Sequence, residues 1–460
     1  MTTSTDLVEV RTGLYHDSVS LMRISQALGS RPGVTVAVVA MATELNLDLA
    51  RDAGFAVPDA GPTDLLVAIR AGSEAAVKDA AEELERQFSL LAKGGQAGGE
   101  RAESPPRTTR AAARAWDASL ALVSVPGEHA FAEAMDAVEA GLSVMIFSDN
   151  VPVEQEVLLK ERARERGVLV MGPDCGTAVV GGAGLGFANV LRPGPVGVVA
   201  ASGTGAQQVT CLLDHAGAGV SHVLGVGGRD LSAAVGGAST LTALAALDAD
   251  PATELIVLIS KPPAPEVAEV VRRAVEELST PVVTALLGPG QDDLTTAAEK
   301  ALRALGLPVP QWPCWTVPQR APSAELSGLY AGGTLCAEAA IIAGTGAFTD
   351  FGDDEYTLGR AHPMIDPTVR LEALGRASGV ILLDVVLGHA ADPDPSARLA
   401  PAIREARERG AAVVVALVGT ESDPQGLRRQ AEVLVAAGAS VFTSNAAAAG
   451  HAASLVRSAL

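Results

Sequence analysis

Short apolar runs alternate with amphipathic segments from the start of the chain. Val34–Ala40 and Asp64–Ile69 have the length and content of buried strands, whereas Ser18–Leu28 and Glu74–Leu91 show helical periodicity. This alternation predicts an N-terminal α/β region over residues 1–92.

Glycine and proline interrupt the pattern after this first region. The run from Lys93 to Glu100 holds four glycines, and Pro105–Pro106 follows shortly after it. Neither strand nor helix periodicity survives such a composition, so residues 93–115 are predicted to be a linker.

A second region begins at Trp116 and returns to the alternating pattern. Its predicted strands and helices are, in chain order, Leu120–Val125, Ala130–Ala140, Ser143–Ser148, Val153–Arg166 and Val168–Met171. Strands separated by helices of this length pair in parallel, so residues 116–190 are predicted to form a doubly wound, Rossmann-like domain.

The remaining chain contains one pattern twice. Val196–Gly205 and Gly328–Leu335 each consist of an apolar strand, a turn of glycine and threonine, and the start of an alanine-rich helix. These twin turns open two predicted α/β domains, residues 191–307 and 325–460. Between them, residues 308–324 are rich in proline and are predicted to be an irregular connector.

Further features recur in the same order in the two domains. Each continues with a glycine-containing loop, a buried strand that ends in a special turn, and a strand that ends in glycine. The corresponding segments are Gly225–Asp230 and Phe351–Asp354, Ser260–Pro263 and Leu387–Ala390, and Leu287–Gly288 and Val418–Gly419. This shared order favours an internal duplication.

Composition narrows the functional classes. The 460 residues are 48% hydrophobic and only 3% aromatic, with a net charge of −20. Such a charge argues against general affinity for nucleic acid. No apolar stretch is long enough to cross a membrane, and no secretory signal is apparent. The four widely spaced cysteines predict reduced thiols in the cytoplasm and no metal site.

The twin turns are the strongest candidates for anion binding. The first consists of Ser202, Gly203, Thr204 and Gly205, and the second of Gly332, Gly333 and Thr334. Unpaired N–H groups at a helix start, helped by hydroxyl groups, favour a phosphoryl or carboxylate group. The alternative is an ordinary strand-to-helix turn capped by a hydroxyl.

Charged residues follow two other strands. Lys261 stands after a buried strand and either pairs with a transferred phosphate or is a solvated lysine. Gly227 and Gly228 form a second candidate phosphate loop. The next residues, Arg229 and Asp230, either bind the ligand or pair with each other.

Three further residues have two readings each. His362, flanked by Arg360 and Asp366, is a candidate acid/base or anion ligand, or a loop histidine bonded to a carboxylate. Cys175 is a candidate nucleophile, but a small buried residue is the favoured interpretation. His389 lies in a Gly-His-Ala sequence, and a phosphohistidine there is the less favoured reading.

Long segments resemble the succinyl-CoA synthetase family. Ile146–Asn150 together with Met171–Gly176 is similar to the end of the CoA-binding domain of its α subunit. Val196–Thr204 and Val223–Gly228 resemble the flavodoxin-like ligase domain of that subunit, and residues 325–460 resemble the ligase domain of the β subunit. The resemblance implies that CoA is a cofactor and that Pro173, Asp174 and Cys175 belong to its site.

The extra N-terminal region points to one branch of these proteins. Leu14–Met22, Ser260–Pro263 and Gly359–Pro367 resemble the FdrA family, a fused group that is similar to acyl-CoA synthetases. The expected fold is therefore a multidomain α/β chain, with an N-terminal α/β region, a Rossmann-like CoA-binding domain and two flavodoxin-like ligase domains.

Two departures from the synthetases bear on the function. The segment Gly288–Asp293 has no histidine where synthetases carry the phosphorylated one, and Lys261 stands where they have an orienting glutamate. An ATP-grasp domain is not recognised either. The resemblance then implies a subunit for acyl or carbamoyl transfer, of the oxamate carbamoyltransferase type in allantoin and purine degradation. It would use a small acyl phosphate or carboxylate and partner subunits.

Two alternatives remain open. One is an acyl-CoA ligase subunit that works with a separate ATP-grasp partner. The other is a non-catalytic scaffold that binds CoA or a metabolite.

Overall fold

A computed structural model describes residues 4–14, 16–94, 106–319, 325–357 and 360–459. Tyr15, Gly359, residues 95–105 of the predicted linker and residues 320–324 of the predicted connector lie outside the described residues. The chain divides into two compact units, Met1–Pro106 with Leu358–Ala361, and Arg107–Thr357 with His362–Leu460.

The first unit is built on a three-stranded antiparallel sheet of order β1-β3-β2. Two of its strands, β2 and the central β3, are almost continuous apolar runs, which explains why both were predicted from the sequence. The first strand was not predicted, because its charged residues hide the apolar alternation. The elements are β1 (Thr5–Arg11), α1 (Ser18–Gly29), β2 (Val34–Met41), α2 (Glu44–Asp52), β3 (Leu65–Ala71) and α3 (Glu74–Gly94).

The second unit begins with a small parallel sheet of order β4-β5-β6. The predicted parallel pairing is confirmed, since β4 pairs in parallel with β5 and β5 with β6. A short helix, α4, occupies part of the segment predicted as linker. The elements are α4 (Thr109–Ala115), β4 (Leu120–Val123), α5 (Gly127–Glu139), β5 (Ser143–Ile146), α6 (Val153–Arg166) and β6 (Val170–Met171).

A six-stranded sheet of order β12-β11-β9-β10-β7-β8 follows. Strands β9 to β12 are parallel, and β7 joins the edge of β10 in antiparallel fashion. The β7–β8 hairpin was not predicted. The elements are β7 (Thr177–Val180), β8 (Ala183–Gly186), β9 (Pro193–Ala200), α7 (Gly203–His215), β10 (Val220–Gly225), α8 (Ala238–Asp248), β11 (Leu255–Ser260), α9 (Pro265–Glu277), β12 (Val282–Leu286) and α10 (Leu294–Ala304).

The second six-stranded sheet has the order β13-β18-β17-β16-β14-β15. Its core strands are parallel, with short β13 antiparallel at one edge. The elements are β13 (Cys314–Trp315), β14 (Leu326–Tyr330), α11 (Gly333–Ala343), β15 (Ala347–Asp350), α12 (Asp354–Thr357), α13 (Thr368–Arg376), β16 (Val380–Val386), α14 (Pro395–Glu408), β17 (Ala412–Val418), α15 (Leu427–Ala436), β18 (Ser440–Phe442) and α16 (Asn445–Ala459).

The two large sheets follow the same plan. In each, the strand before the twin turn lies between the next two strands of the chain, as β9 lies between β10 and β11, and β14 between β15 and β16. Strands alternate with helices through most of the described residues, so the predicted α/β fold class is confirmed. Ligands of such sheets bind at the carboxyl ends of the strands, where both twin turns lie.

Within the second unit, buried polar groups join the half that contains the first six-stranded sheet to the half that contains the second. The side chain of Gln208 on α7 donates to the Thr443 carbonyl and accepts from the Asn445 N–H. Glu338 on α11 accepts from the Leu294 N–H at 2.6 Å and from Asn445 Nδ2 at 2.7 Å. Because buried polar atoms need their partners, these bonds fix the register of one half on the other.

Among the described residues, no helix has the length and apolar character that crossing a bilayer requires.

Candidate functional site

The twin turns meet at their tips. A β-carbon placed on Gly332 would lie 2.6 Å from the hydroxyl oxygen of Thr204, and one placed on Gly205 would lie 3.1 Å from the methyl carbon of Thr334. Each threonine therefore packs onto a glycine of the other turn, and helices α7 and α11 begin side by side. Two helix starts together concentrate unpaired N–H groups and positive dipole ends in one place.

The first turn is capped by a neutral group. Ser202 precedes α7 in an extended conformation, and its hydroxyl accepts a hydrogen bond from the Gly205 N–H at 3.0 Å. Ser202, Gly203 and Thr204 are all partly exposed. The first turn thus combines hydroxyls with a helix start at a partly exposed position, which is the arrangement that favours an anion.

The second turn is held by a carboxylate instead. Asp384, fully buried on β16, accepts from the N–H groups of Ala331 and Gly332 at 2.8 and 2.9 Å. Arg370 on α13 donates to Asp384 at 2.9 Å and also to the Leu329 carbonyl. Burial raises the pKa of Asp384, and the Arg370 guanidinium opposes that shift. Here the protein itself supplies the anion.

A second carboxylate and a lysine lie beside the start of α11. A β-carbon on Gly333 would be 2.3 Å from Asp350 Oδ2 and 3.5 Å from Lys261 Nζ. Lys261 is exposed, and it lies at the end of β11, in the other half. Burial raises the pKa of Asp350 to about 6, opposed by the Gly352 N–H and by Lys261.

His362 closes one side of this group. A β-carbon on Gly352 would lie 2.8 Å from its Nε2 and 3.1 Å from Asp350 Oδ1. Its Nδ1 accepts from the Met364 N–H at 3.2 Å, and its ring packs on Phe187. Burial lowers the pKa of His362 to about 4, so the imidazole is neutral near pH 7. Its flanking residue Asp366 pairs with Arg398 at 3.0 Å.

The loop with Gly227 and Gly228 lies against the predicted CoA residues. A β-carbon on Gly227 would be 2.5 Å from the Pro173 carbonyl, and one on Gly228 would be 3.8 Å from Asp174 Oδ2 and 3.9 Å from the Ala201 carbonyl. The structure therefore brings this loop, the Pro173–Asp174 turn and the first twin turn together. Asp174 and Gly228 are exposed, whereas Pro173 and Gly227 are buried.

Arg229 and Asp230 are neighbours in sequence, but their side chains have different partners. Arg229 pairs with Glu156 at 2.9 Å and donates to the Val151 carbonyl. Asp230 is buried, pairs with Lys160 at 2.7 Å and accepts from the N–H groups at the start of α8. The alternative of an Arg229–Asp230 pair is wrong, and Asp230 is a structural anchor between α6 and α8.

The thiols near the site are protonated at neutral pH. Burial raises the pKa of Cys175 and of Cys336 to about 12 in each case. Cys175 contacts the Thr177 carbonyl at 3.5 Å and is fully buried by its surroundings, as the favoured interpretation predicted. His389 is exposed, and its backbone N–H donates to the Ala188 carbonyl. Its ring lies near Gly184 on β8.

Sequence reasoning missed three charged residues of the second turn: Asp350, Asp384 and Arg370. One signal was available. Asp384 interrupts the otherwise apolar strand Val380–Val386, and a lone carboxylate in a buried strand needs a specific partner. Asp350 gave no such signal, because β15 itself was not predicted.

Comparison with known proteins gives two family matches on this chain. Residues 2–105 match the AllF heavy metal-associated domain, and residues 329–455 match the CoA-ligase family. Residues 2–105 contain no cysteine. Within the described ranges, no group of three or more His, Cys, Asp or Glu side chains is placed to hold a metal ion.

A full-length relative settles the family. The uncharacterized protein YahF of Escherichia coli is 36% identical, over 95% of this chain and 96% of its own length. The chain belongs to the FdrA family. Its members resemble acyl-CoA synthetases, and this one carries a CoA-ligase-type domain at 329–455.

Synthetase subunits match part of this FdrA-family chain. An α subunit of succinate–CoA ligase from Archaeoglobus fulgidus is 30% identical over 39% of the chain, and the malate–CoA ligase α subunit of Methylorubrum extorquens is 29% identical over 39%. The chain spans 63% and 62% of those two proteins.

Solved structures show weaker likeness. A dinucleotide-forming acetyl-coenzyme A synthetase of Ca. Korarchaeum cryptofilum is 15% identical, with a TM-score of 0.33 over 82% of this chain and 92% of its own. ATP citrate lyase from Methanothrix soehngenii is 19% identical, with a TM-score of 0.33 over 45% and 38%.

Proposed function

We propose that this protein is a subunit of an acyl- or carbamoyl-transfer enzyme of the oxamate carbamoyltransferase type. It binds a small acyl phosphate, carbamoyl phosphate in that case, at the joined starts of α7 and α11. It acts in the cytoplasm with partner subunits and without a phosphohistidine of its own.

One observation carries the proposal: the two helix starts touch, and Lys261 lies beside them. The partly exposed first turn offers Ser202, Gly203 and Thr204 to an anion. The Lys261 ammonium lies on the side of Gly333, where the second turn already holds carboxylates. A phosphoryl group placed between them meets N–H groups, hydroxyls and one cation.

The chemistry that this site would support is phosphate-dependent cleavage of a ureido compound. An oxygen of inorganic phosphate attacks the carbamoyl carbon of oxalurate, and the bond from that carbon to the amide nitrogen breaks. The nitrogen takes one proton, giving oxamate and carbamoyl phosphate. Asp350, whose pKa is raised to about 6, can hold that proton near neutral pH, and we assign the transfer to it.

We give the other predicted residues supporting roles. His362, a neutral imidazole beside Asp350, orients that carboxyl group. Gly227 and Gly228 shape the neighbouring loop. Arg229 is tied to Glu156, and its role in this scheme is to fix α6 against that loop.

CoA does not enter this reaction. Of the three residues implied for its site, Pro173 and Cys175 are buried, and Asp174 is an exposed carboxylate that would repel a phosphate. These side chains do not fit direct contact with the phosphates of CoA. Calorimetry of the purified protein with CoA tests this point, and we expect no binding that depends on Asp174.

The second candidate is a CoA ligase subunit with a separate ATP-grasp partner. The match of 329–455 to the CoA-ligase family favours it. In that case a histidine must carry phosphate, and His389 is our candidate, because it is exposed and its backbone N–H bonds across to the Ala188 carbonyl. Labelled ATP with candidate partners would then label wild-type protein and spare His389→Asn.

An activity assay separates these functions. The purified protein, with and without the products of neighbouring genes, is given oxalurate and phosphate, and carbamoyl phosphate is measured. We expect phosphate-dependent turnover in the complete mixture, lost in Lys261→Met and kept in Lys300→Met. Lys300 is a suitable control because it is an exposed lysine that pairs with Asp292 on the surface. No turnover in the complete mixture would favour the scaffold alternative.

A further inference from the structure

A small cavity lies directly behind the second twin turn. Its volume is about 20 Å³, roughly the space of one or two water molecules. Most of its wall is apolar, from the loop before α13, from β16 and from α14. The residues that line it are Ala331, Pro363, Met364, Pro367, Arg370, Val385, Val386, Asp392, Pro395 and Leu399.

Two polar atoms in this wall lack a hydrogen-bond partner within the described part of the chain: Arg370 Nε and Asp392 Oδ2. Both residues are buried, with 3% and 6% of their surface exposed. One other polar atom of each side chain is hydrogen-bonded. Arg370 Nη2 donates to Asp384, and Asp392 Oδ1 accepts from the Asp394 N–H.

Such unpaired atoms are costly, because a buried donor or acceptor without a partner loses its hydration and gains nothing in return. One orphan is a donor and the other is an acceptor. A ligand that satisfies both must present an acceptor atom to Arg370 Nε and a donor, either N–H or O–H, to Asp392 Oδ2.

The cavity is close to neutral overall. The Arg370 charge is balanced by Asp384 at 2.9 Å, and the Asp392 charge faces Arg398 Nη1 at 3.7 Å. A neutral group is therefore favoured over an anion. The surrounding valine, leucine and proline side chains exclude a strongly hydrated ion.

We propose that this cavity binds the carboxamide group of the oxamate product, with its carbonyl oxygen on Arg370 Nε and its NH₂ group on Asp392 Oδ2. This assignment rests on the proposed function, in which oxamate is the product that carries such a group. Ala331 belongs both to the cavity wall and to the turn, so the amide end would lie next to the phosphoryl site.

Replacing one carboxylate oxygen of Asp392 with an amide NH₂ group tests the assignment. Asp392→Asn can keep the bond from the Asp394 N–H while replacing the spare acceptor with an NH₂ donor. Asp366→Asn is the matched control, because Asp366 also pairs with Arg398 but does not line the cavity. Calorimetry with oxamate and with oxalate, which has oxygen in place of the amide nitrogen, measures the preference.

The expected result is that wild-type protein and Asp366→Asn prefer oxamate to oxalate. Asp392→Asn should bind oxamate at least about tenfold more weakly and lose or reverse that preference. A crystal structure with oxamate should show its amide in the cavity. Equal oxamate affinity in wild type and Asp392→Asn, or a cavity that holds only water when oxamate is bound, would overturn the proposal.

These measurements do not depend on turnover. If oxamate binds as described but oxalurate is not cleaved, the amide site stands and the proposed reaction fails. If oxalurate is cleaved but Asp392→Asn binds oxamate as tightly as wild type does, the proposed reaction stands and the amide site is wrong.

Discussion

The two twin turns are alike in sequence and opposite in electrostatics. The first is capped by the neutral hydroxyl of Ser202 and is partly exposed. The second is bonded to the Asp384 carboxylate, flanked by Asp350, and largely buried. A repeated glycine-threonine turn therefore shows a shared fold, and the charges around each copy decide whether it is open to a ligand anion.

The difference between the turns corresponds to different residues at matching positions of the neighbouring strands, β11 and β16. Ile259 on β11 lies opposite Ala200, the last residue of the strand before the first turn. Asp384 on β16 takes the corresponding place next to Tyr330, since the preceding pair is Leu329 with Leu383. Before the first turn, the backbone carbonyl of Ile259 accepts from the Ala201 N–H. At the matching place before the second turn, the Asp384 carboxylate accepts from the N–H groups of Ala331 and Gly332.

The largest effect should come from removing the Asp384 carboxylate, which accepts hydrogen bonds from the second turn. Asp384→Ala leaves the Arg370 charge and two buried N–H groups without a partner, which should cost about 3–5 kcal/mol in the free energy of unfolding. Ile259→Val at the matching position should cost about 1 kcal/mol. Urea unfolding of both variants measures the two values. Similar losses of unfolding free energy in Asp384→Ala and Ile259→Val would contradict the claim that the two turns differ in electrostatics.

Loss of the Lys261 ammonium should be the next largest effect. Lys261→Met removes a charge-assisted contact, so its affinity for inorganic phosphate should fall about 10- to 100-fold. Calorimetry measures the affinity, with Lys300→Met as the control of equal charge. An unchanged affinity in Lys261→Met would place the anion elsewhere.

The carboxyl group of Asp350 should make anion binding depend on pH. Because its pKa is raised to about 6, it gains a proton as the pH falls from 7.5 to 5.5, and one negative charge beside Gly333 disappears. Affinity for sulfate, which does not titrate in this range, should rise by up to about tenfold in wild type. Asp350→Asn should bind tightly and show little pH dependence.

The same group affects stability with a defined sign. The folded pKa of Asp350 is raised from 3.8 to about 6, so its contribution to stability is present below pH 3.8 and is lost as the pH rises through 6. In Asp350→Asn, the free energy of unfolding should not show this decrease as the pH rises through 6. His362 stays neutral across the window from pH 5.5 to 7.5 because its pKa is lowered to about 4.

The smallest effect tests the contact between the turns. Thr204→Ser and Thr334→Ser each remove one methyl group from the reciprocal packing on Gly332 and Gly205. Each should lower stability by about 0.5–1.5 kcal/mol, and neither should weaken phosphate binding, because the hydroxyls remain. Thermal unfolding and calorimetry check both points. A large loss of affinity in either variant would show that the methyl contact positions the site.

The sequence predicted the parts of the fold that depend on apolar periodicity. The predicted strands Leu255–Ile259 and Ala412–Val418 are present as β11 and β17, because buried parallel strands are continuous apolar runs. It missed β15 and the β7–β8 hairpin, which are short and partly exposed. The twin turns were found by their glycines, but the partners of the second turn are distant in sequence and appear only when β16 and α13 pack beside it.

The central claim is that an acyl phosphate binds non-covalently between the helix starts, beside Lys261. Phosphorus NMR of the protein with carbamoyl phosphate tests it directly. We predict a saturable change in the carbamoyl phosphate signal that is lost in Lys261→Met and kept in Lys300→Met, with no signal from phosphorylated histidine. A covalent phosphohistidine signal, or a carbamoyl phosphate signal that the protein leaves unchanged, would contradict it.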